Sequence, residues 1–138
     1  MDIRTAVPAD LDGIRRYDCH IPVTRLEDCI RRGFVDVLVE HGQIVGMLRW
    51  NLFWQNLPFL DLIFLDDTLR GQGWGTNMMS RWESNMAALG FDHVLLSTQS
   101  DETSKFFYEK LGYRLCGSFL PPDQDAEEWM YRKELDKI

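Results

Sequence analysis

The stretch Arg70-Gly71-Gln72-Gly73-Trp74-Gly75-Thr76 constrains this chain most, because it joins an apolar strand-like run to an amphipathic helical one. Before it, Pro58-Phe59-Leu60-Asp61-Leu62-Ile63-Phe64-Leu65 reads as a mostly buried strand. After it, Met78, Met79, Trp82, Met86 and Leu89 recur at helical spacing, and Gly90 stands where a helix C-cap glycine belongs. Glycines let backbone N–H groups turn toward a ligand without Cβ interference, and the helix N-terminus that follows adds partial positive charge. A pyrophosphate is the natural guest of such a joint.

Spacing separates the phosphate loops that depend on glycine. A P-loop needs a Lys-Ser/Thr pair after its last glycine, and Gly75 is followed by Thr76-Asn77, which excludes it. The dinucleotide fingerprint needs a glycine where Thr76 stands, so a nucleotide-binding domain is a weak third reading. What remains is Arg-x-x-Gly-x-Gly, read as Arg70, Gly73 and Gly75, which resembles the coenzyme A pyrophosphate loop of the GCN5-related N-acetyltransferase (GNAT) family. A second segment is similar to that family's next helix: Asp101-Glu102-Thr103-Ser104-Lys105-Phe106-Phe107-Tyr108-Glu109-Lys110-Leu111-Gly112-Tyr113, after the strand-like Asp92 to Thr98. In it Phe107-Tyr108 is followed by Lys110 and then by Gly112-Tyr113. The resemblance is strongest from Phe59 to Tyr113. The chain departs from the family pattern at Asp101 and Ser104, where many members carry Asn and Ala.

The resemblance implies a single-domain α/β fold with a mixed central sheet of six to seven strands flanked by about four helices. In that fold the strand before the phosphate loop and the strand after its helix run parallel and splay apart to admit the pantetheine arm. Backbone groups of Ile63 and Leu65 would pair with the arm like an added strand. Coenzyme contacts are expected from Ile63, Leu65, Arg70, Gly71, Gln72, Gly73, Trp74, Gly75, Thr76, Asp101, Ser104 and Tyr108. Acetyl-CoA is then a co-substrate, and no metal is implied.

Acetyl transfer to an amine asks for few groups. The amine, of pKa roughly 10, must lose a proton before attack, and the departing thiolate, of pKa about 8.5 if it resembles cysteine, benefits from a proton donor. The Leu65 N–H is the family-like donor to the oxyanion. Tyr108 fills the place of the acid, with a plain core tyrosine as its rival. Asp61 is the candidate base because it shares strand parity with Ile63 and Leu65, its rival being a solvated strand carboxylate. Trp50, Phe53, Trp54 and Phe59 line an acceptor pocket or fill core, and core is the expectation. Met78, Met79, Trp82 and Met86 read as packing residues.

Composition bounds the rest. With 138 residues and 45% apolar content, the chain suits one domain over 1–138. It has no apolar run able to span a bilayer, and Met1-Asp2-Ile3-Arg4-Thr5 lacks a signal peptide's apolar stretch, so a cytoplasmic location is expected. Cys19, Cys29 and Cys116 favour reduced thiols. His20, His41 and His93 are scattered, against a metal site. The formal net charge of -7 argues against general nucleic-acid binding. Coenzyme attraction must therefore be local, through backbone amides, Arg70, and Lys105 or Lys110. The same acidity suits a cationic amine substrate, either a small molecule or a peptide.

The element order reads as strand (Ile3 to Ala6), helix (Pro8 toward Tyr17), helix (Thr24 to Arg32), a hairpin turning at His41-Gly42-Gln43, the strand Phe59 to Leu65, helix, strand, helix, and a final strand pair (Tyr113 to Phe119 and Glu128 to Glu134). The final strand, around Trp129, Met130 and Tyr131, could pair with a second copy as a homodimer. The sequence thus points to an N-acetyltransferase acting by direct attack in a ternary complex. A coenzyme A-binding regulatory or interaction module that has lost turnover is the alternative.

Overall fold

The structure is a computed structural model and describes residues 1–136. β1 (Asp2–Thr5) leads through a 3-10 turn at Pro8–Asp10 into α1 (Leu11–Arg15) and α2 (Val23–Arg31). Three strands follow, β2 (Val35–Glu40), β3 (Gln43–Phe53) and β4 (Leu57–Leu65), then a 3-10 turn at Asp67–Leu69 and α3 (Trp74–Ala88). The chain continues through β5 (His93–Gln99), α4 (Ser104–Lys110), β6 (Arg114–Phe119) and β7 (Glu128–Glu134). The strands form one mixed sheet in the order β1-β2-β3-β4-β5-β7-β6. This is the α/β architecture expected, with seven strands and four α-helices among the described residues.

Local chemistry explains the boundaries. The helix expected from Pro8 toward Tyr17 is instead a 3-10 turn and a five-residue α1. The Asp10 carboxylate accepts from Arg4 at 2.7 and 3.0 Å and from the Val7 amide at 2.8 Å, which ties this turn to β1 and tightens it. The β2–β3 turn uses His41 and Gly42 at φ 50° and 77°, the geometry a two-residue hairpin demands. α3 ends in a Schellman motif: the Gly90 N–H donates to Ala87, the Phe91 N–H to Met86, and Gly90 takes φ 97°. Leu89 lies past this helix end and is 65% exposed, so it is not part of the packed face.

Two compact units are distinguishable, and each has its own core. The first comprises Met1–Asn51 and Asp61–Ser80. There α1 and α2 bury Ile14, Leu26 and Ile30 with Val35, Val37, Ile44 and Met47, and Leu62 and Phe64 of β4 pack on this cluster. The second comprises Leu52–Leu60 and the chain from Arg81 onward. Its buried residues include Leu60, Trp82, Met86, Val94, Leu96, Tyr108, Tyr113 and Tyr131. Within it β7 pairs antiparallel with β5 from His93↔Glu134 to Gln99↔Glu128, and with β6 on its other side. Both edges of β7 are thus occupied, which corrects the expectation that this strand is free to pair with a second copy. The exposed edge strand is β6, all six of whose residues are exposed.

The core expectation for the aromatic group holds only in part. Trp50 is buried, its ring tilted against Phe34 at a centroid distance of 4.3 Å. Trp54, in contrast, caps the β3–β4 turn at φ 56° and is 79% exposed, because the turn carries it out of the sheet. No helix among the described residues is long and apolar enough to cross a membrane.

Candidate functional site

The strand before the phosphate loop is unusual for a strand with neighbours on both sides. β4 and β5 run parallel through two rungs, Phe59↔Leu95 and Leu60↔Leu96, and β4 continues to Leu65 beyond them. None of its last five residues is buried, although four of them are apolar. Asp61 as a residue is exposed, yet its side chain is only 21% exposed, so most of the accessible surface there is main chain. Accessible strand backbone is what a pantetheine arm would need.

Alternation through this segment is not strict, which corrects the parity expected of Asp61. A Cβ on Gly46 would lie 2.8 Å from Leu65 Cδ2, which places Leu65 on the sheet face of Gly46. Phe64 lies on the other face, its ring 5.5 Å from Tyr17, and Leu62 packs on the helical cluster there. The Asp61 carboxylate accepts from Arg49, the register partner of the core residue Val35, and so reaches the face of Leu62 and Phe64 rather than that of Leu65. Irregularity of this kind re-aims a side chain without ending the strand.

Asp61 belongs to a charged cluster that includes residues the sequence reading did not single out. Arg49 Nε donates to Asp18 Oδ2 at 2.6 Å, Arg49 Nη1 to Asp61 Oδ2 at 3.1 Å, and Asn51 Nδ2 to Asp61 Oδ1 at 2.5 Å. Burial pushes the Asp61 carboxyl up from its ordinary value, Asn51 and Arg49 pull it down, and the Asp18 charge adds to the rise. The signal in the sequence was an arginine inside the apolar run Ile44 to Trp50, since a charge in such a strand requires a buried partner.

The loop itself has the backbone its glycines suggest. Gly71 and Gly73 take φ 78° and 88°, and open space surrounds the position of a Cβ on either. The Gly73 carbonyl accepts from Asn77 N–H, so α3 begins there and the amides of Trp74, Gly75 and Thr76 have no acceptor within the helix. Arg70 is exposed, lies 3.3 Å from Asp67 and rests over the Phe64 ring at 5.7 Å. Gln72 folds back to donate to the Thr68 carbonyl at 2.9 Å.

The second unit holds the remaining candidates. Tyr108 is 8% exposed, between Phe107 and Tyr113 at ring distances of 5.2 and 6.0 Å. Among the described residues its hydroxyl has no hydrogen-bond partner, and burial pushes its pKa up to about 12. Ser104 opens α4 with its Oγ 2.7 Å from Thr98 Oγ1, and Asp101 lies in the exposed turn before it. Lys105 donates to the Ser100 carbonyl at 2.5 Å and sits over Phe106 and Trp129, which removes it as a free phosphate partner. A cavity of about 340 Å³ lined by His93, Gly112, Arg114, Arg132, Lys133 and Glu134 contains none of the expected catalytic or coenzyme-binding residues.

Comparison with known proteins shows the family of the chain. The family model for the acetyltransferase (GNAT) family matches residues 6–113. The chain belongs to the GNAT family. A curated relative, the blasticidin-S acetyltransferase of Streptomyces morookaense, is 33% identical over 86 residues, which cover 60% of this chain and 62% of that protein. The match therefore spans less than two thirds of the relative's length. Two solved structures share the GNAT fold at low identity. The Ard1 structure from Thermoplasma volcanium has a TM-score of 0.83 at 18% identity, covering 99% of this chain and 98% of that one. A NatB acetyltransferase complex bound to CoA and MES has a TM-score of 0.84 at 16% identity, covering 99% of this chain and 100% of that one.

Proposed function

We propose that residues 1–138 act as one acetyl-CoA-dependent N-acetyltransferase domain, moving an acetyl group to a primary amine by direct attack in a ternary complex. The observation that carries this reading is the backbone of Arg70 to Thr76. Two glycines at positive φ and the free amides of an α-helix N-terminus form an open anion cradle one 3-10 turn after a strand with accessible main chain.

In this reading the amides of the loop hold the pyrophosphate, helped by Arg70, and the main chain of Ile63 and Leu65 aligns the pantetheine arm. Trp74, Gly75 and Thr76 contribute amides, Gly71 and Gly73 contribute conformation, and Gln72 braces the loop. Asp101 and Ser104, which precede and open α4, are further coenzyme contacts in this reading. The Leu65 N–H donates to the carbonyl oxygen as it becomes an oxyanion. Asp61 accepts the amine's proton, a task for which burial of its carboxyl improves it. Tyr108 donates a hydrogen bond to the departing thiolate. With a pKa near 12, full transfer to a thiolate of pKa about 8.5 is uphill by about 3 to 4 units, so Tyr108 stabilises the anion until the amine's proton reaches it.

The similarity to a blasticidin-S acetyltransferase supports a small-molecule amine as the acceptor class. The two carboxylates on Arg49 leave that cluster with one surplus negative charge, which suits a cationic acceptor. The test is steady-state thiol release from acetyl-CoA with a panel of blasticidin S, spermidine, an alanine-terminal peptide and a lysine peptide. Turnover with a small amine and none with the peptides is expected. Tight coenzyme A binding without turnover on any amine would favour the regulatory module.

A further inference from the structure

We propose that Arg49, clamped by Asp18, is the positioning residue for the Asp61 base and sets the pH at which Asp61 takes a proton. This inference rests on the reading of Asp61 as the base. A single guanidinium spans the pair, with Nε on Asp18 and Nη1 on Asp61, and Asn51 holds the second Asp61 oxygen. Each Asp61 oxygen thus accepts one bond from β3, which fixes the plane of the carboxylate and leaves each oxygen a lone pair for a substrate proton.

Accessibility falls along the cluster. The side chain of Asp61 is 21% exposed, that of Arg49 is 9% exposed and that of Asp18 is fully buried, so the open end belongs to Asp61 and the support lies behind it. A buried arginine needs only one carboxylate to balance it. The second carboxylate adds a negative charge that stability does not call for, and it sits on the strand leading into the phosphate loop. The other groups around the cluster are His20, whose Nδ1 is 3.4 Å from Asp18, and on α2 the Cys29 thiol, which feels Arg49 and Asp61, with the exposed Asp28 and Arg32 beyond. Arg49 lowers the Asp61 pKa and Asp18 raises it, so removing them moves it in opposite directions.

The experiment is the pH profile of thiol release with the best acceptor of the panel above, for wild type, Asp61→Asn, Asp18→Asn and Arg49→Met. The amine's own ionisation is common to all four and cancels in the comparison. Asp61→Asn should lose turnover by about 10²-fold or more. Arg49→Met should move the acid limb up by about one unit and Asp18→Asn should move it down, with KM for acetyl-CoA unchanged in both. Arg49→Met strands a buried carboxylate, so if it fails to fold, Asp18→Asn carries the test, since its amide oxygen still accepts from Arg49. An Asp61→Asn enzyme with wild-type turnover overturns the base reading and this inference together. Lost turnover in Asp61→Asn with an unmoved acid limb in Asp18→Asn overturns the positioning role alone and leaves the base in place.

Discussion

Gly73 holds φ 88° with nothing within 4 Å of a prospective Cβ, so a side chain there meets backbone strain and, under the proposed function, the bound pyrophosphate. Left-handed backbone costs an ordinary residue about 1–2 kcal/mol and a β-branched one more, a tolerable loss for a folded domain. Gly73→Val is therefore expected to abolish acetyl-CoA binding in calorimetric titration while circular dichroism stays near wild type. Undiminished affinity would remove the loop from the site. Tyr108 permits a cleaner separation of chemistry from packing, because its hydroxyl has no partner among the described residues to orphan. Tyr108→Phe should lower turnover by about 10²-fold, as loss of a donor to a developing anion does. Coenzyme affinity should change by no more than about 1 kcal/mol and the Tm very little. A Phe variant with normal turnover would return Tyr108 to the core and make water the donor.

Along α3 the periodic face predicts burial well where the helix continues and badly where it stops. Met78, Met79, Trp82 and Met86 are all 2% exposed or less, whereas Leu89, at the next helical interval, is 65% exposed. Met79→Ala should cost about 2–5 kcal/mol in chemical denaturation, and Leu89→Ala should stay within about 0.5 kcal/mol. Equal effects would mean that Leu89 is covered in solution. β4 teaches a similar lesson. Its existence was plain from Phe59 to Leu65, but the face reached by Asp61 was not, because strict alternation assumes a regular ladder and this segment is not regular. Gly46 is where β3 admits that irregularity: a Cβ there would lie 2.8 Å from Leu65 Cδ2 and 3.0 Å from the Phe64 carbonyl.

Across the whole molecule, all four tyrosines carry pKa values above the ordinary phenol value of about 10. Burial is the leading cause in each. For Tyr108 and Tyr131 it pushes the value up to about 12, and for Tyr113, which donates to Glu83 at 2.7 Å, it is pushed beyond that. A folded-state value raised above the unfolded one contributes stability that is complete below pH of about 10 and is lost as pH climbs through the folded value. The Tm should then hold steady up to about pH 10 and fall steeply above it. Phenolate absorbance should appear together with unfolding. Gradual ionisation near pH 10 in a chain still folded would show that these rings are open to water.

Sequence alone determined the features that are local in the chain. The glycines of the loop, the helical spacing of the methionines, the hairpin turn at His41-Gly42 and the order of strands and helices each follow from dihedral preference or periodicity within about a dozen residues. Two short motifs, the Arg70 to Gly75 loop and the Phe107 to Tyr113 segment, carried the resemblance to the family whose model matches residues 6–113. Tertiary structure decided what depends on residues far apart in sequence. Arg49 meets Asp18 across 31 positions and Asp61 across 12, so no window along the chain connects the three, and only packing of the first helices on β3 and β4 does. The neighbours of β7 were likewise beyond sequence, because edge or interior is a property of the sheet and not of the strand. The pKa directions of Tyr108 and Asp61 belong to the same class, since desolvation is set by what the fold places around a group rather than by the residues beside it in the chain.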